Sequence, residues 1–385
     1  MYYVNSVTNP NNNSRTIPAD SFIENYFAAG GKSVVFQNIR QDFLTPILKM
    51  RAEHMRSVFL LGIHIYDSVK TFQRYVNNCL TDLFKKVKEL DLANRNIEKP
   101  GSKPPSPYNL DKLPSDTLRH DFLYMWYLIC LYHDVGYVFE KDSLKADEIF
   151  LESPAYPPAI PREYISACNS YYFTRKSTSL LGHKACVDHG IYGGWLLLKH
   201  LRNLHSSNLI IEKEDWCKYL LWGRPIFEHY IVNAAWTIIA HNMFLAVYGT
   251  QNACKYCFLG LDQLIYLHGF SPIKPSQNPF LFLLCLVDSI EPIKHFFGDG
   301  NIDEGKCNKI YESAEIGSSD NSFSLAMNPK KIGDKCRLSM GCQFYQDCGY
   351  CANYACHRKI ADDLSFLESP EFKIKVDQRT IKCLW

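Results

Sequence analysis

The sequence predicts a mainly α-helical protein with a small mixed α/β, cysteine-rich part at its C-terminal end. Apolar residues recur at three- and four-residue steps, the spacing of one helix face, at Val58, Leu61, Ile65, Val69 and Phe72. Two further apolar runs, 122–132 and 279–287, are bounded by polar residues and predict core helices. The alternation of apolar and polar residues that is typical of strands occurs only late in the chain.

Composition restricts the class of protein. With 46% hydrophobic and 21% charged residues among 385, the chain has the make-up of a globular protein. Its 42 basic residues nearly balance its 40 acidic ones, so no overall field attracts nucleic acid, and a small substrate is favoured over a long polynucleotide. The apolar runs are too short to cross a bilayer, and residues 1–20 lack the apolar core of a signal peptide. We therefore expect a cytoplasmic protein without a membrane partner.

Three regions are predicted along the chain. Residues 1–20, polar and rich in Asn and Ser, are expected to be a flexible leader. Residues 40–297 form the principal domain, and residues 298–385 form a C-terminal cysteine-rich appendage. Two proline-rich segments, 97–117 and 153–180, are predicted loops, and the second is either part of a pocket rim or a plain insertion.

The appendage holds two predicted hairpins and a cysteine cluster. One hairpin covers Glu315 to Met327 around Ser318–Asn321, and the other covers Phe372 to Trp385 around Asp377-Gln378. The cluster between them could supply at most one structural Zn or Fe–S site; its candidate ligands are Cys336, Cys342, Cys348, Cys351, Cys356 and His357. The alternative is that these residues are reduced thiols in a small cap. Among all 15 cysteines, those inside apolar helices, such as Cys130 and Cys285, are expected to act as small hydrophobes.

The dipeptide His133-Asp134 is the strongest chemical signal. An apolar run leads directly into it, and two buried ionisable side chains are costly unless something pairs with them. A divalent metal does so, because imidazole nitrogen and carboxylate oxygen are both suitable ligands. The alternative is an ordinary core helix that ends in a polar cap. His120-Asp121 is the same dipeptide without the preceding apolar run and serves as a decoy.

Four other ionisable residues stand in similar apolar settings, namely His64, His189, His241 and Asp288. His64 lies on the first periodic helix, where His54 is a competitor that its charged neighbours predict to be more solvated. His189 opens a helix and has His183 as a weaker alternative. Small residues follow it at helical spacing and should allow a neighbouring helix to approach closely; they are Gly190, Gly193 and Gly194.

The order His, His-Asp, His, His, Asp over residues 50 to 295 resembles that of the HD superfamily of metal-dependent phosphohydrolases. The resemblance implies an all-α HD-type bundle and one or two divalent cations from among Mn, Fe, Mg, Ni and Zn. In the implied site, one metal is held by His64, His133, Asp134 and Asp288. Asp134 bridges to a second metal that is held by His189 and His241, and Glu291 is a candidate outer partner of Asp288.

The activity implied is that of a phosphomonoesterase, nucleotidase or phosphodiesterase, which uses a metal-activated water on a nucleotide or another phosphoester. His133 and Asp134 would be the catalytic pair. The chain departs from the family pattern at two positions. Asn242 stands where many binuclear members have a second histidine, and Tyr137, a candidate substrate contact, stands where a lysine is frequent. The alternative is a non-catalytic HD-like scaffold or ligand sensor that retains the metal pocket.

Overall fold

The computed structural model describes residues 6–9, 12–18, 46–97, 115–138, 189–208, 230–242, 273–293, 304–327, 364–365, 367–376 and 380–385. The prediction of a mainly α-helical protein is confirmed for these residues, since seven α-helices account for most of them. The helices are α1 (Pro46–Ser68), α2 (Lys70–Ile97), α3 (Ser115–Tyr132), α4 (His189–Asn208), α5 (Val232–Ala240), α6 (Pro279–Ile290) and α7 (Glu304–Ser313). A 3-10 turn, Val135–Val138, follows α3.

The described strands are β1 (Ser6–Asn9), β2 (Asn12–Pro18), β3 (Ala314–Ser319), β4 (Ser322–Met327), β5 (Lys373–Val376) and β6 (Thr380–Leu384). Strands β1 and β2 pair with each other in antiparallel fashion, within the segment for which a flexible leader was predicted. The other four strands form one antiparallel sheet in the order β3-β4-β6-β5. Both hairpins predicted from sequence are confirmed by the pairing of β3 with β4 and of β5 with β6.

The chain divides into two compact units that are interleaved in sequence. The first consists of Met1–Asn25, Leu44–Val76 and Ser271–Trp385, and the second of Tyr26–Phe43 and Asn77–Phe270. Three predicted features lie outside the described residues. They are the cysteine cluster at 336–357, the proline-rich loop at 153–180 and most of the loop at 97–117, of which residues 98–114 are not described. Among the helices that the structure describes, none has both the length and the apolar character needed to cross a membrane.

In the first unit, α6 is apolar from Pro279 to Val287 and is buried along almost its whole length, as expected of a helix in the interior of a protein, and its polar residues Asp288 and Ser289 lie near its end. Pro279 begins it, which suits a position whose backbone N–H would have no helical acceptor. The sheet packs on this unit through aromatic side chains. Phe372 lies against Phe282 of α6 with ring centroids 4.7 Å apart, and Trp385 lies 5.9 Å from Phe72 of α2.

In the second unit, α4 packs closely on α3 and α5 because its first turns present glycine. A Cβ on Gly193 would lie 2.3 Å from the Tyr132 carbonyl oxygen at the end of α3. A Cβ on Gly194 would lie 2.7 Å from the Ala235 carbonyl oxygen of α5. Only glycine permits such an approach of one backbone to another, so these positions fix the separation of the three helices that carry His133, His189 and His241.

Candidate metal site

His133 and His241 share one arrangement, which we call the helix-end histidine. Each directly follows the last residue of an apolar helix. The final carbonyl groups of a helix have no helical N–H from which to accept a hydrogen bond. His133 donates its Nδ1–H to the Cys130 carbonyl oxygen at 2.8 Å, and His241 donates its Nδ1–H to the Ile238 carbonyl oxygen at 2.6 Å. Both rings are buried. With the proton on Nδ1, each ring carries its lone pair on Nε2, which is the atom that a metal would coordinate.

Asp134 and His189 extend this cluster. The Asp134 Oδ1 atom lies 3.7 Å from His133 Nε2 and 3.6 Å from His189 Nε2. His189 Nε2 in turn lies 3.2 Å from His241 Nε2. Asp134 is buried, so its carboxylate faces imidazoles in a poorly solvated setting. The structure therefore brings together four of the predicted site residues: His133, Asp134, His189 and His241.

Two residues at which the chain departs from the family pattern both touch His189. The Tyr137 ring stacks on the His189 imidazole, with centroids 3.8 Å apart and planes 17° apart. The Asn242 side-chain amide lies 3.4 Å from His189 Nε2. A contact on the ring face and a second contact at Nε2 restrict the orientation of the His189 ring. Tyr137 therefore supports a candidate ligand in this structure, besides its predicted role as a substrate contact.

A second cluster lies in the first unit and includes a residue that was not predicted as a ligand. His54 places Nε2 at 3.0 Å from Asp288 Oδ1 and Nδ1 at 2.7 Å from Glu291 Oε2. His54 is 5% exposed, so the expectation that it is more solvated is wrong. Glu291, which was predicted to be an outer partner in the site, has its carboxylate against His54. The charged residues next to His54 in the sequence gave a false indication, and one of them, Arg56, is itself only partly exposed.

A metal-compatible group is formed by His54, His133 and Asp288. One ligand atom of each lies within 4.8 Å of the others. His54 and His133 are buried and Asp288 is half-buried. Two imidazole nitrogens and one carboxylate oxygen form a donor set that suits Zn, Fe, Mn or Ni, so this group could hold a metal ion. Its members come from α1, from the end of α3 and from α6.

His64 is placed differently from the other predicted ligands. It is half-buried, and its ring meets Phe323 of β4 edge-on with centroids 6.1 Å apart. Burial lowers the pKa of His64, and the Asp67 carboxylate opposes that shift. The ring is thus packed against the sheet in the first unit, whereas His54 is the histidine of α1 that reaches Asp288.

The decoy dipeptide and the buried cysteines have structural surroundings. Asp121 is buried and accepts a hydrogen bond from the Tyr230 hydroxyl at 3.0 Å, so its carboxylate has a protein partner. Burial raises the pKa of the Cys285 thiol and raises that of Cys79 to about 11, so both stay protonated at neutral pH. This agrees with the predicted role of Cys285 as a small hydrophobe.

In comparisons with known proteins, no family model, no curated protein and no solved structure matches this chain.

Proposed function

We propose that the protein is a metal-dependent phosphohydrolase with an HD-type helical domain over residues 40–297, acting on a nucleotide or another phosphoester. The observation that carries the proposal is the convergence of His54, His133 and Asp288 ligand atoms within 4.8 Å of one another. Buried imidazoles and a carboxylate at this separation repel or leave polar atoms unsatisfied unless protons or a cation lie among them. His54 takes the place of His64 as first ligand in this proposal.

A divalent cation in such a group would activate water as a nucleophile and offset the negative charge that develops on a phosphoryl group. The residues of the chain orient the donors. The Cys130 carbonyl oxygen fixes the His133 ring at 2.8 Å, and the Ile238 carbonyl oxygen fixes the His241 ring at 2.6 Å. Asp134 lies 3.7 Å from His133 Nε2 and 3.6 Å from His189 Nε2, so its carboxylate is placed to contribute to a cation beside these histidines.

A second cation near His189 and His241 is part of the proposal. Their Nε2 atoms lie 3.2 Å apart, and His241 already has its proton on Nδ1 because it donates to a carbonyl oxygen. Two lone pairs cannot face each other at that distance without a proton or a cation between them. Asp134 supplies the negative charge that would favour the cation.

The second candidate function is a non-catalytic scaffold or ligand sensor that retains the pocket. Its support is the crowding of His189, which is stacked on Tyr137 and contacted by the Asn242 amide. A ring so enclosed has less space for a substrate phosphate beside it. In this reading the metal organises the protein and no phosphoester is turned over.

The test compares Asp134→Asn with Asp121→Asn, since both change the aspartate of a His-Asp dipeptide to its isosteric amide. Removing the Asp134 carboxylate should lower kcat by ~10³-fold or more on bis-p-nitrophenyl phosphate or p-nitrophenyl phosphate with Mn²⁺, Mg²⁺ or Fe²⁺ supplied. Asp121→Asn keeps an oxygen that accepts from the Tyr230 hydroxyl and should leave kcat unchanged.

Bound metal is measured on the same preparations by elemental analysis. Metal binding by the wild type without turnover of any phosphoester would favour the scaffold. Full activity of Asp134→Asn would exclude the phosphohydrolase proposed here.

A further inference from the structure

We propose that Glu291 is a positioning residue that fixes the proton of His54 on Nδ1, and so directs the Nε2 lone pair of His54 toward the cation that Asp288 also binds. The proposal rests on the proposed metal site but not on the reaction. In this proposal Glu291 raises the affinity of the site for metal through His54 and does not itself contact the metal.

Glu291 is buried in a way that requires hydrogen-bond donors. Its side chain is fully buried, and a buried carboxylate is costly unless strong hydrogen-bond donors surround it. Two donors are present. The Ile293 backbone N–H donates to Oε1 at 2.7 Å, and the His54 ring donates from Nδ1 to Oε2 at 2.7 Å. The backbone places the carboxylate there, because Glu291 ends α6 with an extended conformation and its own N–H donates to the Val287 carbonyl oxygen.

The opposite side of the His54 ring faces Asp288. When the Nδ1 proton is held by Glu291, Nε2 of a neutral His54 carries a lone pair, and this atom is 3.0 Å from Asp288 Oδ1. A lone pair and a carboxylate oxygen at that separation repel each other unless a proton or a cation lies near both. A cation resolves the contact for both atoms at once, and His133 adds a third donor to the same group.

His54 differs from the two helix-end histidines in the group that accepts its Nδ1 proton. His133 and His241 donate to backbone carbonyl groups, whereas His54 donates to the carboxylate group of Glu291. A carboxylate partner raises the electron density of the imidazole and makes the ligating nitrogen more basic. His54 should therefore be the strongest nitrogen donor of the group, and the strength should depend on the charge of Glu291.

The experiment measures Mn²⁺ affinity of the metal-stripped full-length chain by isothermal titration calorimetry. Glu291→Gln, which keeps the shape and removes the charge, should weaken Mn²⁺ binding by ~10- to 100-fold. Glu291→Asp, which keeps the charge but shortens the side chain, should weaken it less. The matched control is Glu368→Gln, because Glu368 also lies in the first unit and accepts a backbone N–H, from Ile374 at 3.1 Å. Its Mn²⁺ affinity should equal that of the wild type.

The signals of the His54 ring nitrogens distinguish the positioning role of Glu291 from a purely structural role. Nitrogen-15 spectra of the wild type loaded with diamagnetic Zn²⁺ should show His54 with one proton, on Nδ1, and with its Nε2 signal shifted from the metal-free position. A doubly protonated His54 that does not respond to Zn²⁺ would overturn the proposal, whether or not the variants fold. Unchanged Mn²⁺ affinity in Glu291→Gln would overturn it as well. Loss of affinity in a protein that hydrolyses no phosphoester would support the positioning role and count against the phosphohydrolase.

Discussion

His54 and His64 lie on the same helix and have opposite surroundings. His54 is buried, and each of its ring nitrogens lies within 3.0 Å of a carboxylate oxygen. His64 is half-buried and meets the face of an apolar sheet through Phe323, and burial lowers its pKa. The first ring lies between two carboxylate groups, which favour a cation, and the second lies where burial disfavours its own positive charge. The partner elements, not the helix, therefore decide the role of each histidine.

The first and largest expected effect is on metal affinity. His54→Gln removes the imidazole but keeps a donor for Glu291, and should weaken Mn²⁺ binding by more than the ~10- to 100-fold that the loss of an outer partner costs. His64→Gln is the matched variant and should bind Mn²⁺ like the wild type, because its ring lies against Phe323. Both are measured by titration calorimetry on metal-stripped protein.

The opposite result would contradict the roles assigned here to His54 and His64. If His64→Gln lost the metal and His54→Gln kept it, the first ligand would be His64, as the family resemblance implies. His54 would then be a structural histidine held between Asp288 and Glu291.

A smaller effect is expected from the apolar neighbour of His64. Phe323 is fully buried on the inner face of β4, and Phe323→Leu keeps that face apolar. It should lower the free energy of unfolding by about 1 kcal/mol, since near-conservative core changes usually cost less than about 1.5 kcal/mol. Mn²⁺ affinity should stay the same. Urea denaturation in EDTA gives the free energy of unfolding. A fall in Mn²⁺ affinity without a fall in stability would contradict the assignment of His64 to a packing role against Phe323.

The helices and hairpins could be predicted because their signals are local. Apolar spacing predicts α1, and the residues Asp320-Asn321 between two alternating runs predict the β3–β4 turn, whose flanking Ser319 and Ser322 pair directly. The helix-end histidines could also be predicted, because an apolar run that ends directly at a histidine places that side chain at the end of a buried helix.

The choice of His54 over His64 could have been predicted from the angular positions of the two residues around the helix axis. The residue types next to each histidine in the sequence do not contain that information. At 100° per residue, His54 falls within the arc of Val58, Leu61 and Ile65, while His64 lies about 80° from the direction of His54. The pairing of His54 with Glu291 could not be predicted, because it joins residues 237 positions apart and depends on how α1 packs against the end of α6. The same holds for the contact of Tyr137 with His189.

The smallest expected effect is a difference in the pH dependence of stability between the two histidine variants. The pKa of His64 is lowered in the folded protein by burial, so the unfolded chain takes up a proton first as the pH falls. The contribution of neutral His64 is fully present above its unfolded pKa of about 6.5 and is lost as the pH falls below it. His64→Gln should therefore lose less stability than the wild type between about pH 7.5 and about pH 5.5. Asp67→Asn should lose more stability than the wild type over the same range, because the Asp67 carboxylate raises the pKa of His64 and partly offsets the effect of burial.

Urea denaturation in EDTA at each pH measures the slope of the free energy of unfolding against pH for each protein. Equal slopes for the wild type and His64→Gln would mean that the ring is not desolvated against Phe323, and the contrast with His54 would then rest on metal affinity alone.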